Sequence, residues 1–309
     1  MKHRLLCAAA ALVLAAGCSQ QPGRGSDSSL TFATPEEAIT ALVAAAEKND
    51  VDELGRLFGP GTEDLLKSGD DVADRAGREA FLSRYRERHQ LVSGGPDDLV
   101  LLVGEDDWPL PIPLVKENDR WRFDGAAGAE QIIRTRIGAN ELRAIDVMHG
   151  FVAAQEMYAS KGHDGAPAGI YAQRLRSDPG KQNGLYWEVA PGEPESPAGP
   201  ALAMATAEGY EGSQQRGDPY HGYFYRPLLS QGGDAPGGAR NYIVNGKLTK
   251  GFALIAYPAD YGASGIMTFI VNQDGVVWQK DLGETTATDA AAIREFNPDS
   301  TWTPIPPES

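Results

Sequence analysis

The chain has 309 residues and a formal net charge of −15, from 28 Lys and Arg against 43 Asp and Glu. A surface of this charge repels nucleic acid and anionic lipid headgroups, so we expect no nucleic-acid partner and no membrane attachment through basic patches. The length exceeds one typical domain and suggests two.

The first eighteen residues have the layout of a secretory signal that ends in a cysteine. Lys2, His3 and Arg4 form a basic start, residues 5–16 are apolar, and small residues lead to Cys18. This layout resembles the lipobox of bacterial lipoproteins, which implies cleavage before Cys18 and its acylation. The apolar run is shorter than the roughly 20 residues of a membrane-spanning helix. An ordinary cleaved signal with a chance cysteine, or a short uncleaved anchor, is the alternative.

The expected location in the cell follows from the same resemblance. Ser19 stands after Cys18, where an aspartate tends to retain Gram-negative lipoproteins at the inner membrane. We therefore expect a protein anchored in the bacterial cell envelope by acyl chains on Cys18, in the outer membrane and facing the periplasm. Residues 1–17 are the predicted signal, and residues 18–30 predict a flexible tether. Cys7 lies within the signal, so no disulfide, cysteine metal site or cysteine nucleophile is expected beyond it.

Residues 31–127 predict an α+β domain, because helical patterns come first and an antiparallel sheet follows. Thr34 is the expected N-cap of the first helix, with Pro35 in the first turn and Glu37 three residues after the cap. The further expected elements are a helix over 51–58, a helix from about Asp74, and strands over 99–103, 111–116 and 120–124, the last two forming a hairpin. This order of elements resembles the cone-shaped NTF2-like fold.

Residues 128–309 predict a long helix packed on an antiparallel sheet. Gly125-Ala126-Ala127-Gly128 is the expected separator, and a helix over about 129–160 follows. Its expected apolar stripe consists of Leu142, Ile145, Met148, Val152, Gln155 and Ala159. Irregular chain then extends to about residue 219, with a short helix over 201–208. The expected strands cover 220–229, 251–257, 265–272 and 276–280, with a turn at Asn272-Gln273-Asp274-Gly275 and an extended tail.

Several stretches carry a resemblance to a known family. They are residues 137–158, 220–226, 251–258 and 265–269, together with the Trp-Pro-Leu-Pro-Ile-Pro segment at 108–113. Together they resemble an uncharacterised family of bacterial lipoproteins, domain of unknown function 2950. That resemblance implies a location in the cell envelope and a fold, but the family has no established activity.

The second half also resembles the soluble part of type IV pilins and pseudopilins. The helix over 137–158 and the strand patterns at 222–225, 251–258 and 265–269 carry this likeness. It implies a pilin-like fold for residues 128–309. Pilins begin with an apolar transmembrane helix joined directly to this one, whereas here another domain lies upstream. We therefore expect a pilin-like module reused in a lipoprotein and not a pilus subunit.

Few residue constellations indicate chemistry. His221, Tyr220 and Tyr223 are the candidate binding residues, since a histidine near carboxylates can act as a base or bind zinc. No second histidine stands at metal-ligand spacing, and Ser264 lies in Gly-x-Ser-Gly and not in the nucleophile pattern Gly-x-Ser-x-Gly. The three carboxylates of Glu105-Asp106-Asp107 could act as an acid or base or bind a cation. The alternative is a solvated turn between two strands. We expect no catalytic residue, no metal site and no cofactor.

The second half is also rich in aromatic residues, which suit glycan or protein contacts or an ordinary sheet core. They are Tyr171, Tyr186, Trp187, Tyr220, Tyr223, Tyr225 and Tyr242. The favoured function is a non-catalytic binding or assembly module with an envelope protein as partner. The alternatives are a ligand-binding or enzymatic pocket in the first domain, and calcium binding near Asp164 or Asp274. A binding module predicts an exposed aromatic or apolar patch, and an enzyme predicts a deep cavity of converging polar groups.

Overall fold

The computed structural model describes residues 30–190, 192–208, 210 and 218–306. The predicted signal, Cys18 and the predicted tether up to residue 29 lie outside the described residues. Within the described ranges, no helix combines the length and the apolar character needed to cross a bilayer.

The first half places helices before an antiparallel sheet, as the sequence predicts. The helices are α1 (Pro35–Glu47), α2 (Val51–Phe58), α3 (Glu63–Leu66) and α4 (Asp71–Glu87). The strands are β1 (His89–Ser93), β2 (Asp98–Val103), β3 (Trp108–Pro109), β4 (Leu114–Glu117) and β5 (Arg120–Phe123). The sheet order is β1-β2-β4-β5, with β3 paired to β2. Buried Leu and Ile side chains from α1, α2 and the sheet form the first core.

Local sequence explains most of these boundaries. The Thr34 side chain accepts a hydrogen bond from the Glu37 backbone N–H at 3.2 Å and so caps α1. Asn118 and Asp119 both have positive φ, 51° and 59°, as the two-residue turn of the β4–β5 hairpin requires. The predicted strand over 111–116 is shorter than expected, because only 114–117 pairs with β5.

Helix α5 (Gly125–Ala159) is 35 residues long and belongs to both halves. Gly125-Ala126-Ala127-Gly128 forms its first turn, so the expected separator is not a linker. A Cβ at Gly128 would lie 2.5 Å from the Pro111 carbonyl oxygen, so glycine here allows the helix to approach the first half closely. Ile132 packs against the first core, whereas Met148 and Phe151 lie in the second core. The division into two domains stays a prediction.

The second half packs α5 against an antiparallel sheet. Its strands are β6 (Tyr223–Leu228), β11 (Ala253–Pro258), β12 (Met267–Asn272), β13 (Trp278–Asp281) and β14 (Thr303–Pro304), in the order β14-β13-β12-β11-β6. Two short pairs join β7 (Ser230–Gln231) to β8 (Arg240–Asn241) and β9 (Ile243–Val244) to β10 (Lys247–Leu248). Helices α6 (Gly199–Ala207) and α7 (Thr286–Ala292) complete this half. The α+β class is confirmed, and the NTF2-like and pilin-like likenesses stay predictions.

The buried face of α5 matches the predicted stripe at Met148 and Gln155 and differs from it elsewhere. Leu142 is 63% exposed, whereas Asn140 and Ala144 are buried. The Asn140 amide donates to the Ser264 carbonyl oxygen at 2.9 Å. The Gln155 amide both donates to and accepts from the backbone of Ala172, at 2.8 and 2.9 Å. Two polar residues thus face inward because the neighbouring loops supply hydrogen-bond partners.

Candidate functional site

The candidate residues Tyr220 and His221 lie in a tight turn that rests on α5. Tyr220 and Tyr223 exchange two backbone hydrogen bonds, at 2.8 and 3.1 Å, around His221 (φ 49°) and Gly222 (φ 75°). These are the dihedrals of a type I′ turn. A Cβ on Gly222 would lie 2.5 Å from the Asn140 amide nitrogen, so this position requires glycine. The turn thereby holds the His221 side chain in a fixed place.

The His221 imidazole lies between a carboxylate and a guanidinium. Its Nε2 is 3.0 Å from the Glu208 carboxylate, and its Nδ1 is 3.5 Å from Nη1 of Arg143. Because a guanidinium can only donate, Nδ1 is assigned as the acceptor, and Nε2–H donates to Glu208. Burial, reinforced by Arg143, lowers the pKa of His221, and Glu208 and Asp70 oppose the change. The imidazole is therefore neutral at pH 7.

Asp70 joins this turn to the first half. Its buried carboxylate caps α4 through the Ala73 N–H at 3.0 Å and also accepts from the Gly222 N–H at 2.8 Å. The Tyr210 hydroxyl donates to the same carboxylate at 2.9 Å and accepts from the His221 N–H at 3.3 Å. Burial, with the nearby Asp70, raises the pKa of Tyr210, so its hydroxyl stays protonated. We call Asp70, Glu208, Tyr210, Tyr220 and His221, with Arg143, the junction cluster.

The junction cluster has a structural role, because it holds the turn at His221 and Gly222 against the first half. Burial, helped by Glu208, raises the pKa of Tyr220 to about 12, and burial also raises the pKa of Tyr225. Neither phenol is therefore activated as a base or a nucleophile at neutral pH. In the part of the chain that is described, no group of His, Cys, Asp or Glu side chains could hold a metal ion. The hydrogen bonds within the cluster are directed mainly at one another.

The other sequence candidates have plain structural roles. The Tyr223 ring is buried in the second core, and its hydroxyl donates to the Met267 carbonyl oxygen at 3.0 Å. Asp106 forms an exposed ion pair with Arg84 at 2.8 Å. The Ser264 hydroxyl is buried against Asp260 backbone atoms. Asp164 accepts from the Gln182 N–H at 2.9 Å.

A second place has the features of a binding site. The segment over residues 173–188 folds around an open groove of about 1040 Å³, and Glu193 and Pro227 also line it. We call it the loop groove. Backbone bonds between Leu175 and Tyr186 (2.9 Å) and between Ser177 and Tyr186 (2.8 Å) fix its sides. Reciprocal bonds between Asp178 and Asn183, at 2.8 and 2.9 Å, fix its tip.

Aromatic side chains at the end of α5 and in the following segment pack against the loop groove. Tyr158, at the end of α5, stacks on His163 with ring centroids 4.1 Å apart, and Trp187 lies 5.3 Å from the His163 ring. The Tyr158 hydroxyl donates to the Gln182 carbonyl oxygen at 2.6 Å. The aromatic enrichment of the sequence is thus divided, with Tyr223 and Tyr242 in the core and Tyr186 and Trp187 in the groove.

Among the described residues, the loop groove carries one cation with no acidic partner. The Arg176 guanidinium lies 4.8 Å from the centroid of the Tyr186 ring and has no carboxylate partner among the described residues. Arg174 and Lys181 differ, because both face Asp178, at 2.5 and 3.8 Å. Asn183, then Arg174 and Lys181, lower the pKa of Asp178.

The first half offers a shallower feature. A surface depression of about 530 Å³ on α1 is lined by Phe32, Thr34, Glu36, Glu37, Thr40, Ala41 and Ala44. Glu36 and Glu37 are the titratable groups in this lining, and they lie on one helical turn. The depression therefore lacks the converging polar groups that an enzymatic pocket requires.

The sequence indicates some residues of the junction cluster and some of the loop groove. Tyr220 and His221 were found from their adjacency, and Tyr186 and Trp187 from aromatic content. Asp70 and Tyr210 were missed, because they are 140 residues apart and no motif connects them. Arg176 was missed as well. Its signal would have been an arginine in a segment rich in tyrosine, glycine and proline.

Comparison with known proteins gives a family and no activity. A family model described as "Protein of unknown function (DUF2950)" matches residues 29–305. The match extends over both halves of the fold. No curated protein and no solved structure matches the chain.

Proposed function

The chain belongs to the DUF2950 family, whose members are of unknown function, and on this premise we propose that it is a lipid-anchored binding protein of the bacterial cell envelope. Acyl chains on Cys18 hold it in the outer membrane, facing the periplasm. Its activity is non-catalytic binding of an envelope component, and the loop groove is the binding surface.

The junction cluster and the loop groove differ in the way that supports this proposal. The junction cluster makes hydrogen bonds among its own members and to nearby backbone N–H groups, and its tyrosines hold their protons. The loop groove is open, has aromatic residues in its lining and keeps a guanidinium without a carboxylate partner among the described residues. An open groove with aromatic and polar groups suits recognition, whereas catalysis needs converging groups with activated protonation states.

The finer assignment of the fold belongs to the same proposal. A long helix packed across an antiparallel sheet supports a pilin-like second half. Helices followed by an antiparallel sheet support an NTF2-like first half. In a pilin the module is attached through its own apolar helix. Here the lipid on Cys18 would take over that attachment.

The anchor is tested with its two cysteines. The full chain is expressed in a Gram-negative host supplied with labelled palmitate, as wild type, Cys18→Ala and Cys7→Ala. We expect the wild type and Cys7→Ala to incorporate label and to sediment with outer membranes, and Cys18→Ala to do neither. Label in Cys18→Ala, or identical processing of all three chains by mass, would overturn the anchor.

The binding role is tested with two tryptophans. The purified full chain in detergent is sedimented with cell-wall material isolated from the host. We expect Trp187→Ala, in the groove, to lose retention, and Trp108→Ala, exposed on β3, to keep it. Thermal melting of both variants controls for folding, with Trp187→Phe as the substitute if Trp187→Ala unfolds. A wild-type chain that stays in the supernatant would refute the binding role.

A further inference from the structure

We propose that the loop groove binds an acidic saccharide, a sugar chain whose oxyanion is a carboxylate or a phosphate, and that Arg176 contacts this oxyanion. The inference rests on the proposed function, because it names the ligand of the same groove.

The Arg176 guanidinium is held ready for such a contact. Its position 4.8 Å from the centroid of the Tyr186 ring makes a cation–π contact that holds the side chain at the groove. Tyr186 is itself held by backbone bonds to Leu175 and Ser177. A guanidinium held over an aromatic ring still has N–H groups to donate, and two of these match the two oxygens of a carboxylate or phosphate.

Charge in the loop groove favours this guanidinium over its neighbours. Arg174 and Lys181 both face Asp178, at 2.5 and 3.8 Å, so one carboxylate offsets part of their positive charge. Glu193 accepts from the Ala190 N–H at 3.3 Å, and Glu188 lies at the groove margin. The whole chain carries a net charge of −15, so an anion is attracted here only by a local cation. Arg176 supplies that cation.

The aromatic lining and the size indicate a sugar. Trp187 and Tyr186 are half-buried rings in the lining of the groove, and aromatic rings of this kind suit contact with the C–H face of a pyranose. A groove of about 1040 Å³ exceeds what a single monosaccharide needs and is open to solvent. A chain of sugars can therefore lie along it with its ends outside.

The test is titration calorimetry of the full chain in detergent with three probes. These are trigalacturonate, which carries carboxylates, glucose 1-phosphate, which carries a phosphate, and maltotriose, which is neutral. We expect at least one acidic probe to bind and maltotriose to bind at least tenfold more weakly. The acidic probe that binds identifies the source of the oxyanion.

Three arginine variants complete the test. We expect Arg176→Gln to weaken acidic-probe binding about tenfold or more, since it removes charge-assisted hydrogen bonds. Arg176→Lys keeps the charge without the planar fork and should recover only part of the affinity. Arg134→Gln removes an equal charge from an exposed pair on α5 and should change nothing.

Two outcomes would overturn the inference. The first is equal binding of maltotriose, and the second is an equal loss in Arg134→Gln and Arg176→Gln. A chain that is retained on cell-wall material yet binds no acidic probe refutes the inference and leaves the proposed function standing. A chain that is not retained refutes the proposed function itself.

Discussion

His221 combines a left-handed backbone with a side chain that lies between opposite charges. A histidine at φ 49° is less favourable than asparagine or glycine in the same turn. The cost is of the order of 1–2 kcal/mol. The contacts of the imidazole with Glu208 and Arg143 offset part of it. The residue is therefore held by its partners, and its protonation state matters to them.

Acid should weaken the fold through His221. Above the unfolded-state pKa of about 6.5 the imidazole is neutral in both states and contributes no pH dependence. Below it the unfolded chain binds a proton that the folded chain resists, because burial and Arg143 lower the folded-state pKa. Stability therefore falls as pH falls through this window.

This pH dependence is measured by urea unfolding of the wild type and His221→Asn between pH 8 and pH 5. Asparagine accepts the left-handed backbone and does not titrate. We expect the stability of the variant to fall less steeply below about pH 6.5. His149→Asn, on the exposed face of α5, controls for the loss of an imidazole. Parallel curves for the wild type and His221→Asn would contradict the expectation.

At the scale of elements, Arg136 connects α5 to both halves. Its guanidinium donates to the Asp64 carbonyl oxygen at 2.7 Å, to the Leu65 carbonyl oxygen, and to the Ala263 carbonyl oxygen at 3.4 Å. Burial lowers the pKa of Arg136 from its ordinary high value, and the side chain remains a cation. One side chain thus satisfies carbonyl groups of α3 and of the loop before β12.

Replacing Arg136 should therefore destabilise the fold. We expect Arg136→Leu to lower the free energy of unfolding by about 2–3 kcal/mol, because several carbonyl groups lose charge-assisted hydrogen bonds. Arg134→Leu, two residues away in an exposed pair, should cost less than about 0.5 kcal/mol. Urea unfolding of both variants measures the difference. Equal effects would show that Arg136 is an ordinary surface residue.

Sequence predicted the elements better than their faces and contacts. The caps at Thr34 and Gly59 and the Asp274-Gly275 turn use local chemistry, so they could be found from short motifs. The buried face of α5 could be found only in part. Met148 and Gln155 are in the predicted stripe and are buried, whereas Asn140 faces a loop that only the fold brings near.

The glycines at 125 and 128 show the same limit. Glycine in sequence favours a linker, and here it serves close packing of a helix start. For the site, neighbouring residues such as Tyr220 and His221 could be selected together. Asp70 could not, since it is 152 residues from Gly222. Long-range partners of this kind leave no periodic signal in a single sequence.

At the scale of the whole molecule, the two cores share one helix. Ile132 packs on the first core, and Ala144 and Met148 lie in the second. Gly138 stands between them on an exposed stretch, with nothing within 4 Å of where a Cβ would be. A change at this position acts on the helix backbone alone.

Helix continuity at Gly138 should control the stability of both halves. We expect Gly138→Pro to cost about 3 kcal/mol and Gly138→Ala to add about 0.5–1 kcal/mol. Fluorine resonances of fluorotryptophan at Trp121 and Trp302 report the first and the second core. Both midpoints should fall together in Gly138→Pro and rise together in Gly138→Ala. A midpoint at Trp121 that does not move would show that the cores are independent.

The continuity of α5 also has a mechanical consequence. Thirty-five residues at about 1.5 Å each give a rod of roughly 50 Å. One end starts beside Pro111 in the first half, and the other end, at Tyr158, supports the loop groove. If the groove holds the proposed ligand, a load on that ligand passes along the backbone hydrogen bonds of α5 into the half that follows the proposed tether. Under the proposed function, α5 would keep the bound envelope component at a set distance from the lipid-anchored end of the chain.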